Sequence, residues 1–505
     1  MSANVLAIVT LGPLALGAVL GVLLDAFSTR RAAIVAVLIG FVVSAGMSVG
    51  SVVQRSLATT AWGVLHVGGF FATISAVIAV LGGLAVAGGS ASMVRREWGG
   101  TVAGLMAFGA LASIVMASSR DITLLLIGLE SAAACAYALV AAGKGARARE
   151  AAMKYFIQGA IATGFFVFGM AILVAVFIPT GDLEGLIKAL AAGPGVSVAT
   201  AGLLLLFAAL AFKAGVAPFH AWAPDAYETA APESAAFLAA GPKLAAVTIL
   251  AVIVSFSATG RLELPISAVL AALAVVSVLV GSIAALRQRS YARMLGYAGV
   301  AQVGYALIAI AATHSFMGPL FFTACYALAA TGTFLSAAAF RRVDPAWDGT
   351  IRGLAGMSRK APWLTAATAI LLISLAGIPP LLGFWAKFAV FVVAIGAAYN
   401  AFAVLNQGLL GFIYAGSAAV GIIGSVVSLG YYGAVLRALY QTEQPAGDAG
   451  EVGLERETPA PGAVDDAVVE GASASSIVIF IAALVVCFGL LPLLTGIPAI
   501  WGVFG

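Results

Sequence analysis

Four lysines, one glutamate and one histidine stand in stretches of this 505-residue chain that otherwise carry almost no charge. Lys213 closes an eleven-residue run, Gly202 to Phe212, that has no polar side chain, and Lys243 lies in a second apolar run that continues to about Val254. Lys387, in LLGFWAKFAVFVV, follows Pro379–Pro380; Glu130 lies in the middle of ITLLLIGLESAAACAYAL; Lys154, in AAMKYFIQGA, is nearer the end of its apolar stretch. A lysine at the centre of a lipid-embedded helix costs about 2.5–3.5 kcal/mol on insertion scales, and such residues mark ion pathways. Burial disfavours the charged form of a lysine and a nearby carboxylate favours it, so moving one charge changes the protonation of the other. That is the behaviour a proton relay requires. Glu130 is then either the acidic partner of a buried lysine or a protonated carboxyl hydrogen-bonded to a neighbouring helix. Lys154 either joins the relay or stretches its stem to hold its ammonium in interfacial water. His220 can pass a proton because imidazole titrates near neutrality, or it is a satisfied structural residue. Asp225, Glu228 and Glu233 flank the same region, and helix capping with interfacial solvation accounts for the first two. His66 and His314 fall near span ends and receive no role.

The elements that position these side chains are membrane spans. The chain is 62% hydrophobic and 9% charged, with a mean hydropathy of +1.10. That balance excludes a soluble domain and fits a polytopic membrane protein. Runs long enough to cross about 30 Å of hydrocarbon lie near 3–25, 32–52, 63–89, 100–118, 121–141 and 152–178, then 266–286, 292–312, 316–340, 408–438 and 474–496. Segment 199–257 supplies two more and is broken by Gly215, Pro218, Pro224, Pro232 and Pro242; segment 362–399 is broken at Pro379–Pro380. Interrupted helices at membrane depth are tolerated only where the backbone faces protein or water. The fold class is therefore all-α, with about 14 transmembrane helices. The first apolar run lacks a basic leader and a cleavage site, and reads as the first span rather than a signal peptide.

Charge orients the bundle. Loops with odd numbers hold 17 of the 25 basic residues and even loops hold 4, Arg55, Arg120, Lys188 and Arg261. The positive-inside rule then places odd loops in the cytoplasm and both termini outside. A net charge of +4 is no nucleic-acid signal, since the basic residues sit in short loops. Residues 441–473 hold eight acidic residues with Pro445, Pro459 and Pro461 and are expected to form an acidic cytoplasmic linker. Cys135, Cys325 and Cys487 make no metal or disulfide pattern. No glycine fingerprint, P-loop, haem or zinc spacing occurs, so no cofactor is expected in this chain.

At FKAGVAPFHAWAPDAYETAAP and AFLAAGPK the sequence resembles the antiporter-like membrane subunits of proton-pumping NADH:quinone oxidoreductase, respiratory complex I. The run from Pro218 to Tyr227 is closer to subunit N, also called chain 2, because sister subunits and cation/proton antiporter chains usually have a histidine where Tyr227 stands. LIGLESAAACAYALVA, EAAMKYFIQGAIATGFFVFGMAIL, RQRSYARMLGYAGVAQVGYAL and SLAGIPPLLGFWAKFAVF agree, so the resemblance covers roughly residues 100–440. It implies two inverted five-helix repeats, each with a broken helix, at 100–257 and 258–440, after N-terminal helices in 1–99 and before a last helix in 474–505. It implies that Glu130 and Lys213 correspond to the family's Glu–Lys pair, Lys243 to its central lysine, Lys387 to its terminal lysine and Lys154 to a further lysine of subunit N. It also implies a prokaryotic inner membrane and partners among the other membrane subunits. NADH, FMN, iron–sulfur clusters and quinone would all belong to partner subunits. A chain of a multisubunit cation/proton antiporter is the alternative. Two positions depart from the pattern: Gln302 stands where many relatives have histidine, and Glu233 where a small or apolar residue is usual.

Overall fold

The computed structural model describes residues 2–54, 59–177, 182–183, 185, 196–257, 263–313, 316–442 and 464–495. Among them the chain is almost entirely helical. The first half contains α1 (Ala3–Ala26), α2 (Arg30–Val53), α3 (Gly69–Arg95), α4 (Gly99–Ser118), α5 (Ile122–Ala141), α6 (Gly145–Phe177), α7 (Val196–Ala214), α8 (Trp222–Thr229) and α9 (Pro232–Ser257). The second contains α10 (Glu263–Leu286), α11 (Tyr291–Thr313), α12 (Met317–Val343), the single turn α13 (Met357–Lys360), α14 (Pro362–Ala376), α15 (Leu382–Ala403), α16 (Gly408–Tyr440) and α17 (Val464–Thr495). Twelve of the described helices are long and apolar enough to cross a membrane, and α7, α14 and α17 contain shorter apolar helices. Counting α7–α8 and α14–α15 each as one interrupted span, and adding α17, gives the expected fourteen.

Helices that are apolar all round can only lie in a protein core or in lipid. Both occur here. The window of α9 that could span the bilayer is wholly buried, and α11 and α12 are nearly so. Around them α1, α2, α6 and α16 expose Leu16, Ile39, Val42, Phe168, Phe412 and Val426. An apolar outer surface of that kind is what a lipid-facing wall requires.

The connections sort to two ends. At one end Arg120 Nε donates to Asp182 at 2.8 Å, and Arg120 N donates to Val64 O, tying even-numbered loops together. Burial pushes the Asp182 carboxyl up, but the bonds from Arg120 and the Gly185 amide outweigh it and hold the group below the usual carboxylate range. At the other end the basic residues of the odd-numbered loops surround a cavity of about 920 Å³. This segregation is the one the charge count predicts, with alternate connections on opposite faces.

Two boundaries differ from the expectation. Residues 63–68 are not helical: strands β1 (Thr59–Ala61) and β2 (Leu65–Val67) form an antiparallel hairpin. Its three-residue loop, residues 62–64, holds Trp62 at φ 51° and Gly63 at φ 77°, and Val64 N donates to Ala61 O at 3.1 Å. The last helix reaches back to Val464, so it includes the end of the segment expected as the linker 441–473. Residues 443–463 lie outside the described residues, as do Arg55, Lys188, Arg261 and His314.

Candidate functional site

Both helix interruptions are built the same way. At the first, Gly215 takes φ +79°, Gly215 N donates to Phe212 O at 3.0 Å and Val216 N to Ala211 O at 2.8 Å. At the second, Gly377 takes φ +87°, with Gly377 N bonded to Ser374 O at 2.9 Å and Ile378 N to Ile373 O at 3.2 Å. Only glycine adopts this left-handed cap without strain, and the pairs of bonds satisfy carbonyls that the helix end leaves open. Side chains further away complete the first interruption. The Trp222 indole donates to Phe212 O at 2.9 Å while its ring stacks on Tyr155 of α6 at 4.0 Å. Ala217 N donates to Ser277 Oγ of α10 at 3.0 Å.

The three deep lysines lie on these interruptions and on the central helix α9. Lys213 is 3% exposed, Lys243 1% and Lys387 4%. Lys213, two residues before Gly215, has an ammonium with no hydrogen-bond partner. Glu130 of α5 is the carboxylate whose charge reaches it. Glu130 is only half-buried and accepts a short bond from Thr163 Oγ1 of α6, whose hydroxyl also donates to Gly159 O at 3.0 Å. The two members of the expected pair thus feel each other without a direct hydrogen bond.

Lys243 is held by weaker contacts. Its ammonium lies 5.6 Å from the Tyr227 ring centre and 5.4 Å from that of Tyr326, and donates to Gly299 O at 3.5 Å. Lys387 is held more firmly. It donates to Ala376 O at 3.0 Å and to Ser425 Oγ at 3.1 Å, and sits 4.9 Å from the Tyr305 ring centre. Its ammonium therefore satisfies a carbonyl that the α14 interruption frees. The neighbouring carbonyl, Leu375 O, accepts from Gln302 Nε2 at 3.0 Å, a donor role for the residue that replaces the usual histidine. Beside Lys387 lies a cavity of about 10 Å³ lined in part by Gln302, Tyr326, Ser374 and Lys387. That volume is about what one water molecule needs. Tyr326 lines this cavity and also lies against Lys243.

Lys154 and His220 stand apart from the deep set. The Lys154 side chain is half exposed and pairs with Glu150 at 2.7 Å and Asp225 at 3.8 Å. Asp225 in turn bonds Arg293, which also holds Glu228 at 3.0 Å; both acids expected to cap or solvate are in this network. His220 sits in the α7–α8 interruption, half-buried, with its ring 6.2 Å from Tyr297 and its Nδ1 without a partner. No hydrogen bond joins it to Lys213 or Lys243 among the described residues. Glu233, by contrast, is fully buried and bonded to Arg96 at 3.0 Å. Tyr305, Tyr326 and Ser425 were not among the expected site residues, because nothing local in sequence marks an aromatic or hydroxyl residue as the neighbour of a lysine many helices away.

Residues 119–412, which contain Glu130 and all four lysines, match the family described as "NADH:quinone oxidoreductase/Mrp antiporter, TM". The chain belongs to that family. It is 35% identical over 433 residues to NADH-quinone oxidoreductase subunit N of Hirschia baltica, an alignment covering 84% of this chain and 86% of the relative. It is 35% identical over 343 residues to subunit N of Rhodospirillum rubrum, covering 67% of each. Among solved structures, a chain of respiratory complex I from Thermus thermophilus superposes with a TM-score of 0.72 at 27% identity, covering 96% of this chain and 97% of that one. A chain of the Mrp complex from a Dietzia species has a TM-score of 0.78 at 19% identity, with 97% and 96% covered. The last likeness shows the fold shared across the family. The relatives named as oxidoreductase subunits bear on activity, and the all-helical, polytopic architecture is common to all of them.

Proposed function

We propose that this chain is the proton-translocating membrane subunit of a respiratory NADH:quinone oxidoreductase, the subunit N of its complex. Glu130, Lys213, Lys243 and Lys387 relay protons at mid-membrane depth, driven by quinone reduction elsewhere. One observation carries this: three lysines are almost completely buried, and no anionic side chain forms an ion pair with any of them among the described residues. A buried structural cation is normally paired. Unpaired ammonium groups next to carbonyls, hydroxyls and aromatic rings can lose and regain a proton without breaking a salt bridge. His220, at the first interruption, and Lys154, at the rim, exchange protons between this path and water. Glu130 acts on Lys213 through its charge rather than through a direct bond.

The wider assignments follow from the same reading. Residues 100–257 and 258–440 form two repeats of opposite orientation, each with one interrupted helix; the matched pair of glycine-capped interruptions supports this. Segment 1–99 flanks the first repeat, and 474–505 ends the chain after the acidic linker. The protein resides in a prokaryotic cell membrane with both termini outside, and its partners are a sister antiporter-like subunit and small membrane subunits. Those partners and the rest of the complex hold NADH, FMN, iron–sulfur clusters and quinone. Relatives named subunit N at 35% identity favour this over a cation/proton antiporter chain. Purification from the native membrane tests it: the chain is expected to bring redox subunits and NADH:quinone activity with it. Co-purification with antiporter chains alone, together with sodium/proton exchange, would establish the alternative.

A further inference from the structure

Glu233 is a departure from the family pattern that the relay leaves unused, yet the fold is shaped around it. It lies in the first turn of α9 with no exposed surface. Its Oε1 accepts from Ser92 Oγ at 2.8 Å and pairs with Arg96 Nη1 at 3.0 Å, while Oε2 has no partner. Gly89 and Ser92, spaced i, i+3 on α3, share one helix face, and Arg96 follows as the residue that caps its C-terminal end. A Cβ at Gly89 would fall 2.5 Å from Glu233 Cβ, so α3 carries a glycine where the carboxylate's stem crosses it. A leftover surface charge would have no such cradle.

The placement of this carboxylate suggests its use. Glu233 and Tyr227 both line the 920 Å³ cavity among the basic loops. Tyr227 is the residue whose ring covers Lys243, and its hydroxyl has no hydrogen-bond partner. Lys243 is ten residues further along α9 than Glu233, about 15 Å at 1.5 Å per residue. The cavity among the loops is thus bordered by a buried carboxylate and by the tyrosine whose ring lies against the central lysine. Arg96 is the charged group paired with Glu233, and the cavity they share is otherwise lined by basic side chains, with Glu228 and Asp348 as its other acids.

We infer that Glu233 is a proton-loading carboxylate for Lys243, with Arg96 as its latch. A proton from cavity water binds Oε2 and makes the neutral acid, which loosens the pair with Arg96. The acid then releases that proton by way of cavity water and the Tyr227 hydroxyl to the neutral Lys243 amine. The amine becomes an ammonium, and Glu233 returns to the carboxylate that Arg96 holds. The inference rests on the relay role assigned to Lys243 above.

The test uses the whole purified complex in proteoliposomes, with pumping measured per assembled complex alongside NADH oxidation. Glu233→Gln should lower pumping by roughly tenfold or more, within the 100-fold scale that a positioned acid or base supplies. The double variant Arg96→Gln/Glu233→Gln, which removes both charges, should assemble normally and still fail to pump. Glu233→Ala should regain pumping when millimolar formate is added, because the open cavity admits a small carboxylate. Normal pumping in the assembled double variant would show that the pair only fastens α3 to α9, and would overturn the inference. So would a Glu233→Ala variant that formate does not rescue. Lys243→Ala separates the two levels: if it pumps normally the relay itself fails, whereas if it is silent while Glu233→Gln pumps normally only the loading role fails.

Discussion

Replacing Lys387 by methionine removes an ammonium while keeping most of the side chain's length. Two hydrogen bonds go with it, at 3.0 Å to Ala376 O and 3.1 Å to Ser425 Oγ. Each is a charged-donor bond that contributes about 1.5–3 kcal/mol. The contact with Tyr305 at 4.9 Å adds about 2 kcal/mol in a desolvated setting. Against these stands the desolvation of a buried ammonium, several kcal/mol per ion. The opposing sums are of similar size. The Ala376 carbonyl is also not abandoned, because Ser425 Oγ reaches it at 3.4 Å. Lys387→Met should therefore change the unfolding free energy by no more than about 2 kcal/mol in either direction, and the complex should assemble. Pumping, in contrast, should be lost. Lys387→Arg should also assemble and should also pump poorly, because a guanidinium does not give up its proton. Thermal melting of the purified complex and dye-quench pumping in proteoliposomes measure the two effects separately. An arginine variant that pumps at the wild-type rate would show that charge alone suffices and that the path leaves through another residue. A methionine variant that fails to assemble would show that the lysine is kept to satisfy the interruption.

Lys213→Ala and Glu130→Gln should each strongly reduce pumping, and the double variant should lose less than the two losses combined, because the groups act as a unit. Fully additive losses would show that the charge of Glu130 does not act through Lys213. For the orientation, a cysteine introduced near position 450 should react with a membrane-impermeant reagent only when the cytoplasmic face is accessible. Labelling from the outside would reverse the topology.

The deep lysines and both interruptions were legible because their signals are local: a charge inside an apolar run, and Gly or Pro at the point of rupture. The segregation of loops was legible from Arg and Lys counts for the same reason. Partners were not. Gln302 meets Leu375 O across 73 residues of sequence, and Lys387 meets Ser425 across 38, distances over which no periodicity informs. The Glu130–Lys213 relation was visible as a pairing of types, but the hydrogen bond that Glu130 accepts comes from Thr163 of the next helix. Lys154 could not be sorted from the deep lysines by spacing; its exposure and its bond to Glu150 do so. The hairpin at 59–67 was hidden because its second strand is a short apolar run that merges into the helix after it. Glu233 was noticed as an oddity in sequence, and its cradle appears only once Gly89, Ser92 and Arg96 are seen around it.

The central claim is that protons cross this chain through its buried lysines, and Lys243 is the member that lies against a lining residue of each cavity, Tyr227 and Tyr326. Proton translocation by purified complex carrying Lys243→Ala, reconstituted in liposomes and compared with its NADH:quinone electron transfer, measures that claim directly. An assembled complex with pumping per electron well below wild type is the predicted result. An assembled complex that pumps the wild-type number of protons per electron would contradict it.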